Sequence, residues 1–115
     1  MELHISDENL RRAVADQGRM KRQYGKDMAD KLTLRLAVLR NAESLADFWP
    51  PLSGPERCHE LKGGLAGFFS VDLKQPYRLL FKALDASSTV DRSDEQKRWK
   101  GIKAIDVTAI EDTHG

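Results

Sequence analysis

The chain has 115 residues, 19 of them Lys or Arg and 18 Asp or Glu, for a formal net charge of +1. This length suits a single domain spanning residues 1–115, able to bury roughly two thirds of its unfolded surface; the overall charge points to no class of partner. The one cysteine, Cys58, excludes an intrachain disulfide and has no metal-ligand spacing around it, and a start that is neither basic nor followed by an apolar run predicts no signal peptide, no membrane span and a cytoplasmic location.

Glu2 to Ile5 is short and carries apolar Leu3 and Ile5, the pattern of an edge strand. Ser6-Asp7-Glu8-Asn9 supplies N-cap residues and early acids for a first helix, with Leu10, Ala13 and Val14 on one side. That helix weakens between Asp16 and Gly18. A longer helix is expected from there to about Asn41, because Tyr24, Met28, Leu32, Leu36 and Leu39 share one arc at 100° per residue. Arg19, Arg22, Lys26 and Arg40 fall nearly opposite. Between Arg11 and Arg40 there are nine basic and three acidic residues, a net charge of +6. Such a stripe is read either as a solvated helix face or as a surface for RNA phosphates or an acidic partner.

Trp49-Pro50-Pro51 ends the helical region, since proline removes a donor and restricts the backbone. Two strand-like runs follow, Phe68 to Leu73 and Tyr77 to Lys82, separated by Lys74-Gln75-Pro76. Three intervening residues make a hairpin. With Leu73 facing Tyr77, Val71 faces Leu79 and Phe69 faces Phe81, giving one apolar face. Phe68, Ser70 and Asp72 against Lys82, Leu80 and Arg78 make the other, expected to be partly solvated. Phe69, Val71, Tyr77, Leu79 and Phe81 are therefore expected to be buried against Tyr24, Met28, Leu32 and Leu36. Asp85 to Lys100 is polar and is expected to be a long mobile excursion pinned at its far end by Trp99. Ile102 to Glu111 reads as a last strand, with Ile105, Val107 and Ala109 on one face. Helices first and strands after predict an α+β fold.

The histidines are His4, His59 and His114. Histidine is the side chain suited to proton transfer near neutral pH. Cleavage of RNA by its own 2′-OH needs that hydroxyl deprotonated, the leaving 5′-oxygen protonated and positive charge at the phosphate. His59 and His114 with Arg78 and Lys62 would meet those needs without a metal or other cofactor. Taken singly each has a plainer reading: Lys62 beside the Gly63-Gly64 turn as a solvated turn residue, Arg78 as a cross-strand ion pair with Asp72, and Asp112 as a strand-end cap.

The run His59-Glu60-Leu61-Lys62-Gly63, then Gly67-Phe68-Phe69-Ser70-Val71-Asp72-Leu73, then Pro76-Tyr77-Arg78-Leu79-Leu80-Phe81, then a late strand ending Glu111-Asp112-Thr113-His114, resembles the HigB branch of the RelE/ParE toxin superfamily. The resemblance covers about Leu32 to His114. It implies two N-terminal helices packed on a twisted antiparallel sheet, and the toxin of a type II toxin-antitoxin system. It further implies ribosome-dependent mRNA cleavage with His59, Arg78, Asp112 and His114 at the catalytic centre. Lys62, Arg57, Arg19, Arg22 and Lys26 would bind substrate. The implied partners are the ribosome with its mRNA and a helix-turn-helix antitoxin of HigA type, with operator DNA reached only through that antitoxin. Thr113 stands where the family often has Tyr, and threonine neither stacks on a base nor donates a phenolic proton. Two other readings therefore remain: a growth poison of the gyrase-inhibiting type, and a catalytically weak toxin retained as a partner in an operator complex.

Overall fold

The computed structural model describes residues 1–85 and 93–112. In chain order the elements are β1 (Glu2–Ile5), α1 (Glu8–Ala15), α2 (Gln17–Tyr24), α3 (Lys26–Asn41), a 3-10 turn (Leu45–Phe48), β2 (His59–Glu60), a second 3-10 turn (Gly63–Leu65), β3 (Phe68–Asp72), β4 (Tyr77–Ala83), α4 (Glu95–Lys100) and β5 (Ala104–Asp112). The fold is α+β, helices on a five-stranded sheet of order β1-β5-β4-β3-β2.

Asp7 caps α1 by accepting from the Leu10 amide at 2.9 Å. Asp16 both ends α1 and caps α2, its carboxylate accepting from the Arg19 amide at 3.2 Å, as short acids do at helix starts. The expected long helix is two helices. Gly25 separates α2 from α3 with φ of 82°, in the region that only glycine enters without steric cost.

The hairpin has the expected register, Phe69 opposite Phe81, Val71 opposite Leu79 and Asp72 opposite Arg78. Its turn carries a cis Gln75-Pro76 bond, closed by the Tyr77 amide donating to the Lys74 carbonyl at 2.9 Å, the arrangement of a type VI turn. The sheet is mixed. β1 runs parallel to β5, Leu3 beside Ile105 and Ile5 beside Val107, while the other pairs are antiparallel. Three helices separate β1 from the remaining strands, so no hairpin turn dictates its direction.

One sheet face carries Phe69, Val71, Leu79, Phe81, Ile105 and Val107, buried against Met20, Met28, Leu32, Leu36 and Leu39. Trp99 of α4 is fully buried and packs edge-on to Trp49 and Phe69, at 5.2 and 5.8 Å between ring centroids. Residues 95–100, expected to be a mobile excursion, are thus a packed helix; residues 86–92 of that stretch lie outside the described residues. Tyr77, expected in the core, is 43% exposed, because the row it occupies reaches past the helix layer to the rim of a groove shared with Tyr24, Met28 and Ile110.

The second face is less solvated than the alternation predicts. Lys82 is exposed, but Ser70, Leu80 and Asp72 are buried. In β5 the simple alternation also fails. Leu80 pairs with Ala109 but Phe81 pairs with Val107, so Thr108 is an extra residue in the strand. Its hydroxyl donates to the Leu80 carbonyl at 3.3 Å. Beyond it Ile110, not Ala109, lies on the core face, opposite Leu79.

Candidate active site

Directly opposed residues in an antiparallel pair point to the same face, so the register arranges the second face in rows. One row runs Asp72, Arg78, Glu111 across β3, β4 and β5. The next runs His59, Ser70, Leu80, Ala109. The two rows are about 7 Å apart, two strand residues at roughly 3.3 Å each.

Asp72 is the centre of the first row. It is 6% exposed. Its Oδ1 lies 3.6 Å from Arg78 Nε and its Oδ2 lies 3.4 Å from Arg57 Nε. Arg57 precedes β2, in a segment laid alongside β3 by the Asp72 amide, which donates to the Glu56 carbonyl at 2.8 Å. Arg57 has φ of 46°, unusual for a residue with a side chain. Behind them Arg35 of α3 is buried and donates from Nε to the Asp72 carbonyl at 2.8 Å and from a terminal nitrogen to the Pro55 carbonyl at 3.0 Å. At 100° per residue Arg35 falls inside the apolar arc that runs from Tyr24 to Leu39; in the fold it is buried there and ties the Arg57 loop to β3.

His59 opens β2 and is half-buried, its Nδ1 3.1 Å from the Arg57 carbonyl. A carbonyl only accepts, so this nitrogen carries the proton, and in the neutral ring Nε2 is left to accept one. β2 is held from its other side: Glu60 pairs with Arg98 of α4, whose guanidinium also sits over the Phe69 ring at 5.9 Å. Lys62 is exposed just past β2.

The remaining candidates lie elsewhere. Because of the extra residue at Thr108, Glu111 is the partner of Arg78, and Asp112 is the partner of Tyr77 in the last row of the sheet, on the face with the helices. Arg19, Arg22 and Lys26 belong to the helix layer, across the sheet from Arg57 and Arg78, and Lys26 pairs with Asp30 at 3.3 Å. His114 lies outside the described residues. The register also supplies two acids that the motif pattern passes over: Asp72, central to the arginine pair, and Glu111. Asp72 faces Arg78 in the hairpin register read from sequence, but nothing in that register signals its burial or its second arginine.

Among the described residues two groups titrate away from their ordinary ranges. Burial, and secondarily the Glu56 carboxylate, pushes the Cys58 thiol from 9.0 to about 12. Burial and then the Asp7 carboxylate raise the Tyr24 phenol. Both disfavour the charged form. Neither group lies in the two rows above. Among the described residues no three His, Cys, Asp or Glu side chains come together as a metal site, and no helix is long and apolar enough to cross a membrane.

No family model and no curated protein matches the chain. Solved structures do. The YoeB/ParE toxin from Agrobacterium tumefaciens superposes with a TM-score of 0.54 at 14% identity, over 97% of this chain and 98% of that one. YoeB in the YoeB-YefM complex from Staphylococcus aureus gives 0.53 at 15% identity, over 96% and 94%. YafQ from E. coli gives 0.53 at 13% identity, over 98% and 93%. Across nearly its whole length, this chain shares the fold of these YoeB, ParE and YafQ toxins.

Proposed function

We propose that residues 1–115 form the toxin of a type II toxin-antitoxin system, a ribosome-dependent mRNA endonuclease of HigB type neutralised by a helix-turn-helix antitoxin. The observation that carries this reading is the placement of Arg57, Arg78 and His59 on one face of a toxin-type sheet. Two guanidinium groups offer planar, permanently charged donors to a phosphate whose negative charge grows during cleavage. His59, with its proton held on Nδ1 by the Arg57 carbonyl, presents Nε2 as the base for the ribose 2′-OH. The freed 2′-oxygen attacks the adjacent phosphorus, the bond from phosphorus to the 5′-oxygen breaks, and that oxygen takes up a proton. The products are a 2′,3′-cyclic phosphate and a 5′-hydroxyl. His114 is assigned the protonating role, Lys62 contact with a flanking phosphate, and Asp112 a supporting role at the end of β5. The YoeB-YefM structure is a complex of two proteins, which supports an antitoxin partner here as well.

The test uses purified protein, translating ribosomes and a defined mRNA. Wild type should cut the mRNA and leave a 5′-hydroxyl end. His59→Ala and Arg78→Ala should each slow cleavage by roughly 10²-fold or more, as loss of a general base or of a transition-state donor does, and relieve growth arrest while antitoxin binding persists. Arrest of growth with intact mRNA would replace this reading with a non-nuclease poison of the gyrase-inhibiting type. Neither cleavage nor arrest would leave a binding partner in an operator complex.

A further inference from the structure

We propose that Asp72 is a positioning residue for the cleavage step: its buried carboxylate holds Arg57 and Arg78 as a two-armed clamp for the scissile phosphate. This inference rests on the nuclease reading of the site. Two arginines brought together on one face repel each other, and both come on separate segments that must be registered to a fraction of an ångström to act on one phosphate. Asp72 answers both requirements. Each of its oxygens takes one arginine, Oδ1 with Arg78 at 3.6 Å and Oδ2 with Arg57 at 3.4 Å. Both contacts are ion pairs through Nε, and at 3.6 Å Arg78 Nε stands beyond hydrogen-bond reach of Oδ1, so the hold on Arg78 is electrostatic.

The backbone of Asp72 is tied on both sides and its carboxylate is enclosed. The residue is 6% exposed. Its carbonyl accepts from Arg35, its amide donates to Glu56, and Oδ2 also accepts from Gln75 Nε2 at 3.4 Å. Arg57 pays a conformational penalty at its φ of 46°, a region that a residue with a side chain keeps only when its surroundings hold it there; Asp72 holds the far end of that side chain.

A plain cross-strand ion pair is the competing account, and the two differ in sign. The carboxylate's own negative charge opposes phosphate binding. If Asp72 were only a counter-charge, removing it would tighten RNA binding and speed cleavage. If it positions the arginines, removing it slows cleavage despite the more favourable charge.

The experiment is a double-mutant cycle on single-turnover mRNA cleavage by the full chain on ribosomes, beside NMR spectra of the arginine Nε–Hε groups in the free protein. Asp72→Asn should lower the cleavage rate about 10²-fold, the scale of losing one aligned donor. Asp72→Asn should slow the Arg78→Ala variant by less than it slows wild type, because only Arg57 is then left to lose its position and residues acting as a unit are not additive. The Arg57 and Arg78 Nε–Hε signals, identified by their loss in Arg57→Lys and Arg78→Lys, should both move in Asp72→Asn. Cleavage at or above the wild-type rate, multiplicative losses in the double variant, or unmoved signals would each overturn the proposal. Should Asp72→Asn not fold, Asp72→Glu keeps the charge and displaces it by a methylene; cleavage by that variant at the wild-type rate overturns the proposal equally. If wild type leaves mRNA intact, the nuclease reading falls, and the clamp stands or falls on the spectra.

Discussion

Leu79→Ala tests the register and the depth of the core together. Leu79 is fully buried on β4, opposite Val71 on one side and Ile110 on the other. Truncation removes three carbons, worth roughly 2.4 kcal/mol at about 0.8 kcal/mol each, and the cavity left behind raises the cost to about 3–5 kcal/mol. With 115 residues, the unfolding entropy near the midpoint is about 240 cal/mol/K, so 1 kcal/mol shifts Tm by about 4 °C. Leu79→Ala should therefore lower Tm by roughly 12–20 °C, and urea titration should give a lower midpoint with an unchanged slope. Tyr77→Ala supplies the contrast. Sequence alternation puts Tyr77 and Leu79 on the same buried stripe, but Tyr77 is 43% exposed at the groove rim. Its truncation should cost about 1 kcal/mol. A Leu79→Ala cost below about 1 kcal/mol, or equal costs for the two variants, would refute the register or the end of the helix layer.

Two further outcomes follow from groups outside the arginine clamp. Cys58 should resist thiol reagents in the native state at pH 8 and react at once on unfolding. Its folded-state pKa of about 12 lies above its ordinary 9.0, so the protonated thiol stabilises the fold fully below about pH 9 and that contribution fades as pH rises toward 12; a titration of unfolding free energy in Cys58→Ala against wild type checks the slope. Glu60→Ala leaves the Arg98 guanidinium half-buried beside Phe69 without its carboxylate, a loss of about 2–3 kcal/mol. Hydrogen exchange should then accelerate at the Leu61 amide, which bonds the Phe68 carbonyl at 2.8 Å.

Much of this was legible because the hairpin states its own register. A period-two stripe on both arms and three residues between them fix which residues oppose each other, and Asp72 opposite Arg78 follows directly. The errors have local physical causes. Gly25 divides a helical arc that is continuous in apolar spacing, because hydrophobic periodicity does not register a single positive φ. Thr108 adds one residue to β5, and one residue is enough to exchange the faces of all that follows. That is why Ile110 replaces Ala109 in the core and Glu111 comes to lie opposite Arg78. Arg35 enters the segment's net charge although its helical position lies within the apolar arc, because a charge count does not register how deeply a residue sits.

The same depth problem bears on the +6 segment between Arg11 and Arg40. Arg12 and Lys26 are paired along their own helices, with Glu8 and Asp30, and Arg35 is buried. Such exposed pairs contribute little to stability and leave the surface less positive than the count implies. The solvated-face reading therefore accounts for part of the excess. Arg19 and Arg22 remain on the helix layer, on the opposite side of the sheet from Arg57 and Arg78. With layers packed about 10 Å apart, a short RNA strand bound at Arg57 and Arg78, as proposed, would not reach them, whereas a partner the size of a ribosome would contact both sides of so small a domain. On the proposed nuclease reading, the fold would separate the charge available for docking from the charge available at the scissile phosphate. The first would act through long-range, salt-screened attraction, the second through two groups paired with one carboxylate.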